Sequence, residues 1–239
     1  MLTEYPPSRL LELGAKKLGI TIAPEKIEKF LIYLEELKLW NRKINLTSLK
    51  SDEEILIKHF LDSLSCSILW KKTPHRLIDI GTGAGFPSLP LKILLPEIKC
   101  TLIEAKKKKT VFLEHLIKKL NLEDIRIINA RAEDMAREEE RESFDLALSR
   151  AVAKLNILLE YALVYVKLGG YLIAQKGKDA KEIEEAKNAL SILGGQIVEV
   201  KHINLPFLNE HRSLILIKKV KSTPLAYPRR TGIPQKRPL

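Results

Sequence analysis

The sequence predicts an α/β protein with a doubly wound, mostly parallel sheet and a preceding cap of helices. Two observations support this fold class. From Arg76 onward, short apolar runs alternate with longer amphipathic stretches, which is typical of a parallel sheet with helices on both faces. Before Arg76, apolar residues recur at helical spacing instead. The 239 residues, 45% of them hydrophobic, suffice for a sizeable core. The predicted units are a helical cap (1–70), an α/β core (75–220) and an extended tail (221–239).

The cap is predicted from two helical segments and the link between them. Pro24 and Glu25 open a stretch whose apolar residues lie on one helical face, at Ile27, Phe30, Leu31, Leu34 and Leu37. Ser51 and Glu54 have the spacing of a capping box, which marks the start of a further helix. A polar and basic link at 40–47 joins the two segments.

Seven strands and five helices are predicted for the core. The strands are expected at 76–80, 99–104, 125–129, 144–149, 170–175, 196–203 and 212–218, and the helices at 86–95, 106–120, 132–140, 154–167 and 179–193. A short polar turn at Asn209 and Glu210 joins the last two strands, which favours an antiparallel hairpin at one end of the sheet. After Lys221, four prolines argue against any further regular element, so we expect an extended tail.

A glycine-rich turn follows the first predicted strand. Gly81, Gly83 and Gly85 form a G-x-G-x-G that is preceded by Asp79. Glycine lets the backbone turn tightly and approach a ligand closely. The next five residues, 86–90, include two prolines, which lack the free amides that a pyrophosphate requires. The loop therefore favours a nucleoside cofactor without phosphates. It resembles the S-adenosylmethionine (SAM) loop of Rossmann-like methyltransferases, although a sharp turn alone could also use these glycines.

A carboxylate is expected at the same site. Glu104 ends the second apolar run, about twenty residues after the glycines, where an acid can accept both hydrogen bonds of a ribose diol. Ligands of doubly wound sheets bind beyond the carboxyl ends of the strands. Because Gly81, Glu104, Ala132–Glu133 and Arg150 all follow predicted strands, we expect them to meet in one crevice. The predicted fold is thus a Rossmann-like, class I SAM-dependent methyltransferase with a seven-stranded, mostly parallel sheet and an N-terminal helical cap.

The charge balance favours a polyanionic partner. The formal net charge is +11, and seven basic residues but no acidic one lie between Lys218 and the C-terminus. Nucleic acid is the commonest partner of such a segment, and a solvated, disordered end is the alternative. No apolar stretch approaches the ~20 residues of a membrane span, and the start of the chain lacks the layout of a signal peptide. With Cys66 and Cys100 in apolar surroundings, we expect a cytoplasmic protein with reduced thiols and no metal site.

The methyl acceptor is inferred from what the sequence lacks. No Asn/Asp-Pro-Pro-aromatic loop, which usually accompanies methylation of an exocyclic amine, follows the fourth predicted strand. Neither cysteine is placed to be the nucleophile that C5 methylation of a pyrimidine needs. N7 of guanine needs neither group, because it bears a lone pair and no proton, and alignment then supplies most of the catalysis. The sequence is compatible with this acceptor and leaves others open.

Several charged residues have both a functional and a structural interpretation. Arg150 could donate two hydrogen bonds to guanine or phosphate, or could form an ion pair at the surface with Asp145 or Glu160. We interpret His59 as a packing histidine and Asp62 as its neighbour that hydrogen-bonds across to the core. Four lysines crowd the start of a predicted helix, against the preference of its positive end, which suggests an anionic partner unless nearby acids compensate. They are Lys106, Lys107, Lys108 and Lys109.

Longer motifs resemble those of one family. They are WNRKINLTS at 40–48, HFLDSL at 59–64, DIGTGAGFP at 79–87, SRA at 149–151, QKG at 175–177 and YPRRTGIP at 227–234. This combination resembles the RsmG family, also called glucose-inhibited division protein B, the bacterial small-subunit rRNA guanine-N7 methyltransferases. The likeness runs from about residue 30 to the C-terminus and departs from the family at no motif position.

The resemblance implies a cytoplasmic enzyme that uses SAM to methylate N7 of a guanine in the decoding region of 16S rRNA. It places Arg150 near the transferred methyl group, as the candidate catalytic residue. Together with the glycine loop, it gives a cofactor-binding set of Gly81, Gly83, Gly85, Phe86, Glu104, Ala105, Lys106, Ala132, Glu133 and Arg150. Together with the charge pattern, it gives an RNA-binding set of Lys106, Lys107, Lys108, Lys109, Lys176, Arg229 and Arg230. No exposed apolar repeat argues for assembly, so a monomer is expected.

Two alternatives compete with this interpretation. One is a SAM-dependent methyltransferase that acts on another RNA base, on tRNA or on a ribosomal protein, and the motifs at 40–48 and 227–234 argue against it. The other is a non-catalytic RNA-binding protein with a vestigial fold, and the intact glycine loop with Glu104 argues against that. Binding of SAM distinguishes an enzyme from the non-catalytic protein, because a protein without a working site is not stabilised by the cofactor.

Overall fold

The computed structural model describes residues 5–70, 72–135, 140–150, 152–177 and 180–239. Its first part is helical. It comprises α1 (Pro7–Lys17), α2 (Pro24–Asn41), α3 (Asp52–Ile55), a π-helical turn (Leu56–Leu61), α4 (Asp62–Leu64) and a 3-10 turn (Ser65–Leu69). The predicted capping bond forms at α3, where Ser51 Oγ accepts from the amide of Glu54 at 3.1 Å.

The core is a single seven-stranded sheet, as predicted. Its strands are β1 (Arg76–Ile80), β2 (Lys99–Ile103), β3 (Ile125–Ile128), β4 (Phe144–Arg150), β5 (Val166–Lys176), β6 (Gly195–Asn204) and β7 (His211–Lys219). They lie in the order β3-β2-β1-β4-β5-β7-β6. In the described sheet, β7 runs antiparallel to the other six strands, because it returns from the polar turn after β6. Strands β2 and β3 lie on one side of β1, and β4 and β5 lie on the other, all parallel to it. The strand order therefore reverses between β1 and β4, which is where a doubly wound sheet binds its ligand.

The remaining helices connect the strands and flank the sheet. They are α5 (Ser88–Leu94), α6 (Lys107–Lys119), α7 (Ala132–Met135), α8 (Leu155–Ala162), α9 (Ala180–Glu185), α10 (Lys187–Leu193) and α11 (Ile233–Lys236). Of the helix predicted at 132–140, residues 136–139 lie outside the described part of the chain.

Two helix predictions were wrong in extent. The helix predicted at 154–167 ends at Ala162, because the carbonyls of Val164 and Tyr165 already accept bonds from the amides that lead into β4. The single helix predicted at 179–193 is two helices, α9 and α10, which meet at the fully buried Ala186; residue 179 is not described.

Two apolar cores lie on opposite faces of the sheet. Alternate residues of β1 divide between them: Leu77 belongs to one and Ile78 to the other. The first core includes the cap helices α1 and α2, and the second packs against α8 and α10. The cap is thus built into one core of the sheet and is held over its ligand-binding edge. None of the helices within the described ranges is long and apolar enough to span a membrane.

The tail contradicts the prediction of an extended segment. Residues 221–239 fold back onto the core and contain a regular element, α11, whose second residue is Pro234. Proline is tolerated in the first turn of a helix, because the amide that it lacks would have no helical partner there. Arg229 anchors the segment by an ion pair with Glu160, whose side chain is 1% exposed. An uncompensated buried carboxylate would be costly, so the tail is tied down instead of being solvated.

Candidate functional site

In the glycine loop after β1, a side chain at either of two glycines would be both strained and crowded. Gly81 has a φ of +69° and Gly85 a φ of +99°. A Cβ at Gly81 would lie 2.8 Å from Val152 Cγ2, and one at Gly85 would lie 2.5 Å from a Leu89 methyl group. Residues with side chains rarely adopt such angles. The loop therefore needs glycine both for its backbone angles and for space.

Asp79 is fully buried at the end of β1, below the glycine loop. Burial raises its pKa to about 7, against the lowering effect of the Ser88 and Thr82 hydroxyls. Its Oδ2 atom accepts from the Ser88 amide at 3.3 Å, whereas Oδ1 has no hydrogen-bond partner within the described chain. A buried acceptor without a partner at the mouth of a sheet is suited to a polar ligand group or an ordered water.

Glu104 connects the glycine loop with the segment after β2. Its Oε2 accepts from the Gly83 amide at 3.0 Å and its Oε1 from the Lys106 amide at 2.8 Å. Each carboxylate oxygen keeps further acceptor capacity, so both can still receive ribose hydroxyls. Asn129, which the sequence analysis did not single out, steadies this segment: its Nδ2 donates to the carbonyl oxygens of Glu104 and Ala105.

A cavity of about 550 Å³ lies beyond the carboxyl ends of these strands. Of the residues predicted to converge in one crevice, Gly81, Ala132 and Glu133 line it, whereas Glu104 and Arg150 are not in its wall. Ala105, from the predicted cofactor-binding set, lines it as well. Gly83 and Gly85 are not among its lining residues, and Lys106 lines a separate groove. The C-terminal tail adds residues that were not predicted for this place, Gln235 and Pro238. We call this space the nucleoside cavity.

A second cavity, of about 580 Å³, adjoins the first. It is lined by charged and amide side chains of the cap and of the strand ends, among them Lys58, His59, Asp62, Arg150, Gln175 and Arg212. Residues 152–154 line both spaces and so form the partition between them. We call this space the acceptor cavity. Of the motif at 149–151, Ala151 lies outside the described residues.

Arg150, the predicted catalytic residue, projects from the end of β4 into a set of contacts with the cap. Its Nη1 donates to the Lys58 carbonyl at 2.9 Å and to Asp62 Oδ2 at 3.3 Å, and its Nη2 bonds to His59 Nδ1 at 2.9 Å. The guanidinium also lies 5.0 Å above the centre of the Phe86 ring. The alternative partners proposed from the sequence are occupied elsewhere, Asp145 by Lys167 and Glu160 by Arg229.

His59 does more than fill space. Burial and, second, the positive charge of Arg150 lower its pKa to about 3, so the ring is neutral. Because Nδ1 accepts from Arg150, Nε2 carries the proton and donates to Thr47 Oγ1 at 2.7 Å. The ring stacks on Phe86 at a centroid distance of 4.5 Å. The expected packing role is present, and the hydrogen bonds additionally orient Arg150.

Asp62 hydrogen-bonds across to the sheet as predicted. Gln175 Nε2 donates to its carbonyl at 2.6 Å and to Oδ1 at 3.1 Å. Burial raises the pKa of Asp62, and Arg150 and Arg212 oppose that rise. Phe86 lies beneath this cluster, stacked between His59 and Tyr33 at 5.2 Å from the latter. The structure thus gives the Phe86 side chain a place under Arg150 and not in the wall of the nucleoside cavity.

The predicted RNA-binding residues divide into two groups. Lys106, Lys107, Lys108 and Lys109 line a groove of about 420 Å³. Lys43, Ile44 and Asn45 from the cap complete this groove, and no local sequence pattern connects them with the lysines. Arg230 is exposed on the tail.

Two predicted RNA ligands are engaged within the protein. Lys176 is 8% exposed; its Nζ lies 2.7 Å from Glu182 Oε2 and also donates to the Ala153 carbonyl. Arg229 meets both oxygens of Glu160, through Nε at 3.0 Å and Nη2 at 2.6 Å. Buried or half-buried acids pair with both cations in this conformation, and RNA binding by these two residues stays a prediction.

The remaining site chemistry is simple. Cys66 and Cys100 are buried free thiols whose pKa values burial raises, which disfavours a thiolate nucleophile at either position. Within the described ranges, no group of three or more His, Cys, Asp or Glu side chains could hold a metal ion.

Strand order, a glycine loop after β1 and a carboxylate after β2 define a class I SAM-dependent methyltransferase. The solved structure of M. jannaschii TYW2 in complex with AdoMet shares this fold, with a TM-score of 0.53 at 15% identity over 66% of this chain and 75% of that one.

The particular family follows from the sequence comparisons. The model of the GidB family, rRNA small subunit methyltransferase G, matches residues 26–215. The Ribosomal RNA small subunit methyltransferase G of Desulfitobacterium hafniense (strain Y51) is 50% identical and covers 100% of both chains. The protein of that name from Acetivibrio thermocellus is 47% identical over 97% of this chain and 96% of its own. The chain belongs to the GidB, or RsmG, family, as its motifs indicated.

Proposed function

We propose that this protein transfers the methyl group of SAM to N7 of a guanine in the decoding region of 16S rRNA, acting as a monomer in the cytoplasm. One observation carries the proposal: two cavities of nucleoside size share the partition at 152–154. One lies at the glycine loop and Glu104, and the other contains Arg150. A methyl donor and a base can therefore occupy adjoining spaces of the same chain.

The nucleoside cavity fits SAM on structural grounds. A Cβ at Gly81 would collide with Val152, so the backbone is bare where a ligand must approach. In this proposal Glu104 receives the ribose hydroxyls, and Ala132 and Glu133 lie along the adenine. The free Oδ1 of Asp79 suits a polar group or water near the methionine end. When bound, SAM supplies an electrophilic methyl group on a sulfonium.

The acceptor cavity fits a guanine that needs no general base. N7 has a lone pair and no proton, so the protein has only to align it and exclude competing nucleophiles. Arg150 uses three of its five N–H donors on the cap and on Asp62, which leaves two for a ligand. A donor on N7 would occupy the attacking lone pair. We therefore assign the spare donors to O6 of the guanine or to its phosphate.

The lysine groove is proposed to bind the RNA backbone. Lys43 and the lysines at 106–109 come from the cap and from the start of α6, on the same side as the glycine loop: a Cβ at Gly83 would lie 3.7 Å from Lys109 Nζ. Phosphate contacts give affinity and register without sequence preference. A guanine in looped or single-stranded RNA can then be splayed into the acceptor cavity.

The testing experiment is transfer of a labelled SAM methyl group to small ribosomal subunits that lack this family's modification. We expect label in 7-methylguanosine from 16S rRNA. Glu104→Ala is the companion variant, and its rate should fall at subsaturating SAM. Label in another nucleoside or in ribosomal protein would contradict the acceptor assignment while keeping the enzyme class. Absence of both transfer and stabilisation by SAM would favour the non-catalytic alternative, whereas SAM binding without transfer would indicate that the substrate is in the wrong assembly state.

A further inference from the structure

The C-terminal segment is attached to the protein at a buried acid of α8. Glu160 Oε1 accepts from the amide of Arg229 at 2.7 Å and from its Nε at 3.0 Å, and Oε2 accepts from Nη2 at 2.6 Å. The carboxylate is 1% exposed and the arginine side chain 25% exposed. A charge-assisted, two-pronged contact of this kind is specific in direction as well as strong. It fixes where the chain after residue 229 must run.

A second set of hydrogen bonds ties the following residues to α7, the helix that borders the proposed adenine side of the nucleoside cavity. The Gly232 amide donates to Glu133 Oε1 at 3.3 Å, and the Thr231 hydroxyl donates to Asp134. Arg141 holds the start of the segment, since its guanidinium donates to the carbonyls of Thr223 and Tyr227. The segment is therefore attached at three points along its length.

These attachments bring the end of the chain into the wall of the cavity. Gln235 and Pro238 line the nucleoside cavity beside Ala132, Glu133 and Tyr161. Glu133 thus faces two ways: it lines the cavity and receives the Gly232 amide. The excess of positive charge in the tail had suggested an RNA-binding arm. The contacts show instead that the most firmly held cation of the segment forms an ion pair with a buried acid of the same protein.

We propose that residues 223–239 are a built wall of the cofactor site, with Arg229 and Glu160 as the positioning residues that hold Gln235 and Pro238 against the adenosine. This inference rests on the proposed assignment of the nucleoside cavity to SAM. Neither positioning residue touches the reacting atoms. They act through the tail, so losing them should affect the affinity for cofactor before it affects the transfer step.

The first test removes the wall and leaves its anchor. A chain that ends at Gly232 loses Gln235 and Pro238 but retains Arg229. Its binding of SAM and of S-adenosylhomocysteine is measured by calorimetry, beside the full-length Lys236→Gln/Arg237→Gln variant, which loses the same two charges but keeps the wall. We expect about tenfold weaker binding for the truncated chain and a change within twofold for the charge variant. Equal affinities for the truncated and full-length chains would overturn the inference.

The second test addresses the anchor. Arg229→Ala should raise the KM for SAM several-fold and leave kcat and the KM for ribosomal subunits nearly unchanged. Arg229→Lys keeps the charge without the two-pronged contact and should restore part of the affinity. If Arg229→Ala raised the KM for subunits and left that for SAM unchanged, Arg229 would be an RNA ligand and the inference would fail.

Failure of the inference can be distinguished from failure of the proposed site. Glu104→Ala is measured in parallel, because Glu104 is the proposed ribose acceptor and its side chain bonds to the amides of Gly83 and Lys106, not to the tail. Loss of SAM affinity in Glu104→Ala but in none of the tail variants would reject only the wall. Unchanged affinity in Glu104→Ala as well as in the truncated chain would reject the assignment of the cavity to SAM. Thermal unfolding without ligand shows whether each variant is folded before its affinity is compared.

Discussion

Gly81→Ala is the substitution whose cost the structure defines best. Gly81 has a φ of +69°, and its added Cβ would lie 2.8 Å from Val152 Cγ2. The left-handed backbone alone costs a residue with a side chain about 1–2 kcal/mol. The collision adds an overpacking cost, about 1–3 kcal/mol where neighbours cannot move freely. Val152 forms the partition between the two cavities, so the displaced side chain also alters both binding spaces.

Gly83 provides the matched control two residues further on. Its φ is +63°, but a Cβ there would meet nothing closer than Lys109 Nζ at 3.7 Å. Gly83→Ala therefore isolates the backbone cost, and we expect it to lower the free energy of unfolding by about 1–2 kcal/mol. Gly81→Ala should lower it further and should weaken SAM binding at least tenfold, which corresponds to about 1.4 kcal/mol.

A double-mutant cycle separates the two costs at Gly81. Val152→Ala removes both γ-methyl groups and should have a small effect alone, because Val152 is 37% exposed. Combined with Gly81→Ala, it should recover part of the lost stability and SAM affinity, with a coupling of about 0.5–3 kcal/mol. Urea unfolding and calorimetry give the two quantities. Equal losses in Gly81→Ala and Gly83→Ala, with zero coupling to Val152→Ala, would refute the collision and the position of the partition.

Three further predictions concern the cofactor, a buried acid and RNA. Glu104→Ala should weaken SAM binding at least tenfold by calorimetry, because the ribose hydroxyls lose their acceptor; unchanged affinity would exclude that role. Asp79 has its folded pKa raised to about 7 from 3.8, so folding disfavours its ionised form, and stability should decline as pH rises from about 4 to 7. Asp79→Asn removes the ionising group. Its free energy of unfolding, compared with that of the unsubstituted protein, should show no gain below pH 4 and a gain of up to about 4 kcal/mol above pH 7 in chemical unfolding. A difference that does not change with pH would contradict the shifted pKa. Replacing Lys43 and Lys107 together by uncharged residues should reduce the slope of log RNA affinity against log salt concentration by the amount that corresponds to about two phosphate contacts. An unchanged slope in filter-binding titrations would show that the groove does not bind RNA.

Strand positions and the cofactor side of the site were predictable from local pattern. Six strands lie within one residue of their predicted bounds, and β1 occupies the predicted residues without change. The exception is β5, which begins at Val166 instead of residue 170, because a helix had been predicted to continue to 167. Parallel strands end at one edge of a sheet, so residues directly after them must converge, and Gly81, Ala105 and Ala132 do line one cavity. This inference needs only the order of elements and their direction. It does not depend on which side chains pack together.

Contacts between distant parts of the chain were not predictable in the same way. The partners of Arg150 lie about ninety residues earlier in the cap, and neither charge nor spacing distinguishes His59 and Asp62 from other candidates. Lys43 joins the lysines at 106–109 only because α2 packs beside α5 and α6. Such pairs arise from tertiary packing, and no periodicity in a single sequence indicates them.

A count of basic residues overestimates the positive charge that is available to a nucleic acid when some of these residues pair with acids inside the fold. The sum of charges treats Lys176 and Arg229 as free cations, yet each is neutralised by an acid on a neighbouring helix. A signal was available at Glu160, which stands in the apolar run Leu158, Leu159 and Ala162. A carboxylate among residues of a buried helix face requires a cation from elsewhere in the chain, because burying it alone is too costly. A basic segment after such a helix is therefore better assigned first to the protein's own buried acids, and only its remaining charges, here exposed cations such as Arg230, to a nucleic acid.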